Sequence, residues 1–207
     1  MSRRAAVGVV VGLIVLTIIG VTAAVVAASA ARAGFGNLVV VPVGAVTAFS
    51  LMFIVLGVYR LLGAGRDAAV ARRFVTSPAI VFASGRTAGI KDALIPYRVD
   101  DRTHNIPYDF TVACNGVGIR LWVGPIAEPI TFAEIPWAEI ARMTAGSVGI
   151  DQRRSRGLVL QTSSGGRIEL QPLGKGFLAM FPYSMSDLRD LVEDLRALSS
   201  KTESTAP

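Results

Sequence analysis

Asp100, Asp101 and His104 are the one set of acid–base side chains standing close together in this chain. A carboxylate beside an imidazole can move protons near neutral pH, because histidine changes charge there and the acid can orient it. Their surroundings favour a simpler reading. The stretch between Pro96 and Pro107 is rich in Asp, Arg, Thr and Asn, which describes a solvated loop. His104 is the only histidine and Cys114 the only cysteine, so neither an intrachain disulfide nor a cysteine-based metal site can be assembled. Cys114 has no base beside it in sequence to make it a nucleophile. The G-x-S-x-G, H-E-x-x-H and P-loop patterns are all missing. On this reading the chain is not an enzyme and needs no cofactor.

Binding chemistry is better represented. Arg153, Arg154 and Arg156 crowd the polar stretch 149–157 and are the candidate contacts for an anion or lipid headgroup, against the plainer reading of a solvated charged loop. A second set, Arg60, Arg66, Arg72 and Arg73, falls within fourteen residues whose only acid is Asp67. These four are the candidate headgroup contacts of a juxtamembrane segment. The formal net charge is +6, and residues 1–73 hold all of the excess, with seven arginines and one acid. The remainder carries fourteen basic and fourteen acidic side chains. A nucleic-acid footprint would be a basic face on the folded domain, and a balanced domain argues against that partner.

The basic flanks border two uncharged runs, 5–31 and 38–59. The second reads LVVVPVGAVTAFSLMFIVLGVY and is closed by Arg60. A helix of that length extends about 33 Å, enough for a hydrocarbon core of about 30 Å. The expectation is a two-helix transmembrane hairpin in residues 1–62, with spans at about 5–30 and 38–60. Arg3, Arg4 and the later arginines against the lone Arg32 place both termini in the cytoplasm of a multi-pass cell-membrane protein. Ala28-Ser29-Ala30 offers a rival reading as a signal-peptide cleavage site, but the apolar run is too long for a signal sequence. Gly8 and Gly12 could seat a homodimer, or simply pack the two helices of one chain.

Residues 63–77 then form a basic linker, 78–200 a cytoplasmic domain and 201–207 a tail. The domain reads mainly as strands. Residues 110–123 alternate in polarity on either side of Asn115-Gly116, a hairpin signal with a type I′ turn. Further strands are expected at 78–83, 130–135, 139–145, 158–162 and 167–172, with 163–166 as a turn and 149–157 as a loop. Thr87 is placed as the cap of a short helix. Leu188, Leu191, Val192, Leu195 and Leu198 fall at helical spacing behind a Ser184…Asp187 capping box.

Several short strands followed by one amphipathic helix is the order of a pleckstrin-homology-like domain. The residues that carry the resemblance are TVACNGVGIRLW (111–122), IPWAEI (135–140) and LVLQ (158–161). Residues 108–200 thus resemble bacterial PH-like and GRAM-like modules. The resemblance implies an α+β domain, a PH-like barrel plugged by its C-terminal helix, and a function in binding. The expected role is a membrane-anchored adaptor recognising a protein segment or anionic lipid, with the bilayer and another membrane or cytoplasmic protein as partners. The alternatives are a subunit of a membrane complex and a membrane-associated hydrolase.

Overall fold

Alternation along one strand organises the sheet. In residues 109–114 every side chain is buried, which requires cover on both faces of the strand. The computed structural model describes residues 17–26, 28–29, 32, 36–75, 77–99, 106–174 and 181–203. It divides into two units, Met1–Leu62 and Gly63–Pro207.

In the first unit residues 17–26 are helical, and a second helix, α1 (Gly36–Arg72), begins. A Cβ added at Gly20 would lie 3.5 Å from the Ser50 Cβ, so the two helices meet at a small residue, and Ser50 is buried there. Ile18, Val21, Val25, Phe49, Leu51 and Val55 are exposed. Among the described residues, no helix is long and apolar enough to cross a membrane. This corrects the two-span hairpin, the multi-pass localisation and the cytoplasmic placement of both termini. The uncharged run 38–59 is not an element of its own: Arg60 does not end it, and one helix of 37 residues carries on through Arg66 and Asp67 to Arg72. Of the run 5–31 only residues 17–26, 28 and 29 are described. Gly8 and Gly12 lie outside the described residues.

The second unit holds β1 (Ile80–Gly85), α2 (Ile90–Ala93), β2 (Asp109–Cys114), β3 (Gly118–Val123), β4 (Ile130–Pro136), β5 (Ile140–Ile150), β6 (Arg153–Thr162), β7 (Arg167–Pro172) and α3 (Met185–Glu203). The seven strands make one antiparallel sheet in the order β4-β3-β2-β1-β7-β6-β5. The sheet is open, with β4 and β5 as edges, which corrects the expected PH-like barrel. Its two meanders, β1–β4 and β5–β7, join through only two register pairs, Ser84↔Pro172 and Gly85↔Gln171. Each edge is covered separately. Arg98 bridges Ala133 on β4, while Arg196 of α3 donates to the Met143 carbonyl of β5 at 2.8 Å.

Phe110, Val112 and Cys114 point into the main core with Ile119, Leu121, Phe132, Leu158, Leu160, Ile168 and Leu170. The leucine stripe of α3 closes that core: Leu188, Leu191, Val192, Leu195 and Leu198 are all buried. Its start is the reciprocal capping box read from the sequence, with Ser184 N–H donating to Asp187 Oδ2 and Asp187 N–H to Ser184 Oγ, each at 3.2 Å. The opposite face of β2 presents Asp109, Thr111 and Ala113. There Ala113, Trp122 and Val70 form a second, smaller cluster with Phe74 and Val81. The last turns of α1 are therefore a cover for the sheet, not a linker.

Three local expectations differ. Neither Asn115 nor Gly116 has positive φ, so the β2–β3 connection is not type I′. Instead Asn115 Oδ1 accepts from the N–H groups of Val117 (3.0 Å) and Gly118 (3.3 Å), and Trp137 Nε1 donates to the Asn115 carbonyl at 2.7 Å. Gly89, with φ 76°, precedes α2 where Thr87 was expected as cap; the buried Thr87 hydroxyl donates to the Glu169 carbonyl instead. Finally, 149–157 is no loop. β5 and β6 pair down to Ile150↔Arg153.

Candidate anion-binding groove

The extended β5–β6 hairpin turns at Asp151 and Gln152, with Asp151 held at φ 47°. Beyond it the pairs Gly149↔Arg154, Val148↔Ser155 and Ser147↔Arg156 continue the ladder. Strand alternation separates the three arginines: Arg154 and Arg156 share a face, and Arg153 takes the other. All three are exposed. Gly157 follows them at a point where Leu170's carbonyl and both Val148 methyls lie too close for any side chain.

Arg154 and Arg156 line a groove of about 710 Å³ with Gly146, Ser147, Ser155, Phe181, Pro182 and Met185. Among the described residues its wall is made by two arginines, two serines and an apolar side from the approach to α3, with no acidic residue. A second cavity of about 430 Å³ shares Ser147 and Arg154 and adds Ala88, Gly89, Ile90, Gly149, Arg167 and Glu169. Here the carboxylate is already matched. Arg167 meets Glu169 at 2.7 Å and donates to the Ser147 carbonyl at 3.1 Å. Glu169 also accepts from Gly149 N–H at 2.7 Å, and the Gly149 carbonyl accepts from Ala88 N–H at 2.8 Å. These bonds fix the hairpin stem that carries Arg154.

The other candidate arginines are dispersed. Arg66 is buried beneath α1, where Nε donates to Thr111 Oγ1 at 2.8 Å and Nη2 stands 3.5 Å from Asp109 Oδ2. The Thr111 hydroxyl in turn donates to Asp67. Arg73 lies over the Trp122 ring, 5.0 Å from its centroid. Arg72 is exposed, and the Arg60 side chain lies outside the described part. With no spanning helix among the described residues, the juxtamembrane role for these four has no support. Asp100, Asp101 and His104 lie outside the described residues. Cys114 is fully buried, and burial pushes its thiol well above its ordinary value of 9.0. Burial, then the nearby charges of Asp187 and Asp67, raises the half-buried Tyr183 above 10.0. Among the described residues no group of three metal-ligating side chains occurs.

Sequence reading missed Ser147, Ser155, Phe181, Met185, Arg167 and Glu169. The one available signal was the alternation of Arg154 and Arg156 with Ser155, which suits a strand as well as a loop.

No family model matches the chain, and neither a curated protein nor a solved structure matches it. The resemblance to pleckstrin-homology-like modules is corrected accordingly: the blocks 111–122, 135–140 and 158–161 are short strand patterns that any antiparallel sheet of this kind can carry.

Proposed function

We propose that the unit Gly63–Pro207 is a non-catalytic recognition module that seats an anionic group between Arg154 and Arg156. One observation carries this reading. Two exposed guanidinium groups share a groove whose described lining residues include no acid, within a sheet domain whose charges elsewhere balance. Guanidinium groups bind carboxylate and phosphate oxygens through paired, charge-assisted hydrogen bonds, and Ser147, paired with Arg156 across the ladder, adds a hydroxyl beside them. Recognition of a partner, with no bond made or broken, uses everything the groove offers.

The test is titration of the full chain with inorganic phosphate, read by calorimetry at low salt. Binding is expected to weaken as salt rises. The double variant Arg154→Gln/Arg156→Gln should bind about tenfold or more weakly, since each charge-assisted bond is worth about 1.5–3 kcal/mol. Equal binding by wild type and double variant would place the anion elsewhere and remove the proposal.

A further inference from the structure

Resting on that reading, we infer that the ligand is a peptide segment in which an acidic residue is adjoined by a bulky apolar one. The groove has a mixed lining: Arg154 and Arg156 come from β6, and Phe181, Pro182 and Met185 from the approach to α3. Phe181 is 63% exposed, a large apolar side chain left facing water beside a charged seat. A free anion would satisfy the arginines and leave that apolar wall wet. An acidic side chain followed by a leucine or phenylalanine satisfies both, gaining area burial on top of charge pairing.

The second cavity extends the seat. It adjoins the groove at Ser147 and Arg154, and Arg167 and Glu169, which also line it, are paired with each other. A chain continuing past Arg154 therefore meets an ion pair beside Gly89 and Ile90. The two cavities together also provide more length than a single phosphate or carboxylate can fill.

Fluorescein-labelled peptides titrated into the full chain and followed by anisotropy provide the experiment. The probes are Gly-Asp-Phe-Gly-Ser-NH2 carrying fluorescein on its N-terminal amine, its Phe→Gly counterpart, and inorganic phosphate as competitor. The Asp-Phe peptide should bind at least tenfold more tightly than the Asp-Gly peptide, and phosphate should displace it. Phe181→Ala should erase the difference between the peptides. Arg154→Gln/Arg156→Gln should weaken all three. If phosphate binds and the two peptides bind equally, the groove reading stands and this inference fails. If neither phosphate nor peptide responds to the arginine substitutions, the groove reading itself fails. Vesicles of phosphatidylglycerol that compete with the Asp-Phe peptide, in a manner lost with the two arginines, would assign the groove to a lipid headgroup and overturn the peptide.

Discussion

Cys114 and Tyr183 are both kept protonated by the fold, the first by burial and the second by burial and two neighbouring aspartates. In the unfolded chain each gives up its proton at its ordinary value, 9.0 for the thiol and 10.0 for the phenol. The folded form therefore holds more protons above those values, and stability that is complete below pH 9 falls as pH rises through 9 and then 10. The urea midpoint should drop between pH 8 and pH 10.5, and the variant Cys114→Val/Tyr183→Phe should drop less. Identical slopes for the two proteins would show that other groups govern the alkaline limb. The same burial predicts that iodoacetamide leaves native Cys114 untouched and modifies it only on unfolding. Sequence spacing placed Cys114 on the inner face of a strand correctly, because its parity with Phe110 and Val112 is a local property. Arg66 was not legible in that way. A charged residue in a basic stretch reads as solvated, and its burial depends on Asp109 and Thr111, more than forty positions away.

At the scale of the element, the end of α1 shows how a helix can be held by chemistry at one end of its contact and packing at the other. Arg66 meets Asp109 and Thr111, and one turn on, Val70 meets Ala113 and Trp122. Gly63 completes the fit, since a Cβ there would stand 2.8 Å from the Asp109 carboxylate. Arg66→Met leaves that carboxylate without its buried cation and should cost about 3–5 kcal/mol in chemical denaturation. A loss of a few tenths would mean that the helix end is not held by the pair. On the opposite face of the sheet, Leu195→Ala should cost about 2–5 kcal/mol by opening a cavity under α3. α3 and β7 were readable because their periods are strong and unbroken. The stem of the β5–β6 hairpin was not. Its polar side chains suggested a loop, whereas its pairing is a ladder of backbone groups that side-chain type does not report.

For the molecule as a whole, the two units differ in how they meet water. In Met1–Leu62, Ile18, Val21, Val25, Phe49, Leu51 and Val55 are exposed apolar side chains, while Gly63–Pro207 gathers most of its large apolar residues into two buried clusters and leaves Val75, Ile95, Val99, Val117 and Phe181 exposed. An apolar surface of that kind seeks cover. The full chain should run as large assemblies on size-exclusion chromatography without detergent, and a fragment comprising residues 63–207 as a monomer with a cooperative unfolding transition. A monodisperse full chain would show that the exposed residues of the first unit are covered in solution. In sequence only the β2–β3 and β6–β7 hairpins and the final helix follow from local patterns; the open seven-stranded order, read as a barrel, depends on pairings between distant segments, to which periodicity is blind.

The seam between β1 and β7 also sets an order of events in time. β1 sits at the centre of the finished sheet, yet one of its edges waits for Pro172, made 88 residues after Ser84. A ribosome adding about 5–20 residues per second leaves that edge open for roughly 4–18 s. Throughout the interval the nascent chain offers a row of unpaired backbone groups to any strand nearby, including one from a neighbouring copy on the same messenger. How much of the protein reaches its native form is then decided while it is being made, by whatever guards β1 until its last neighbour arrives.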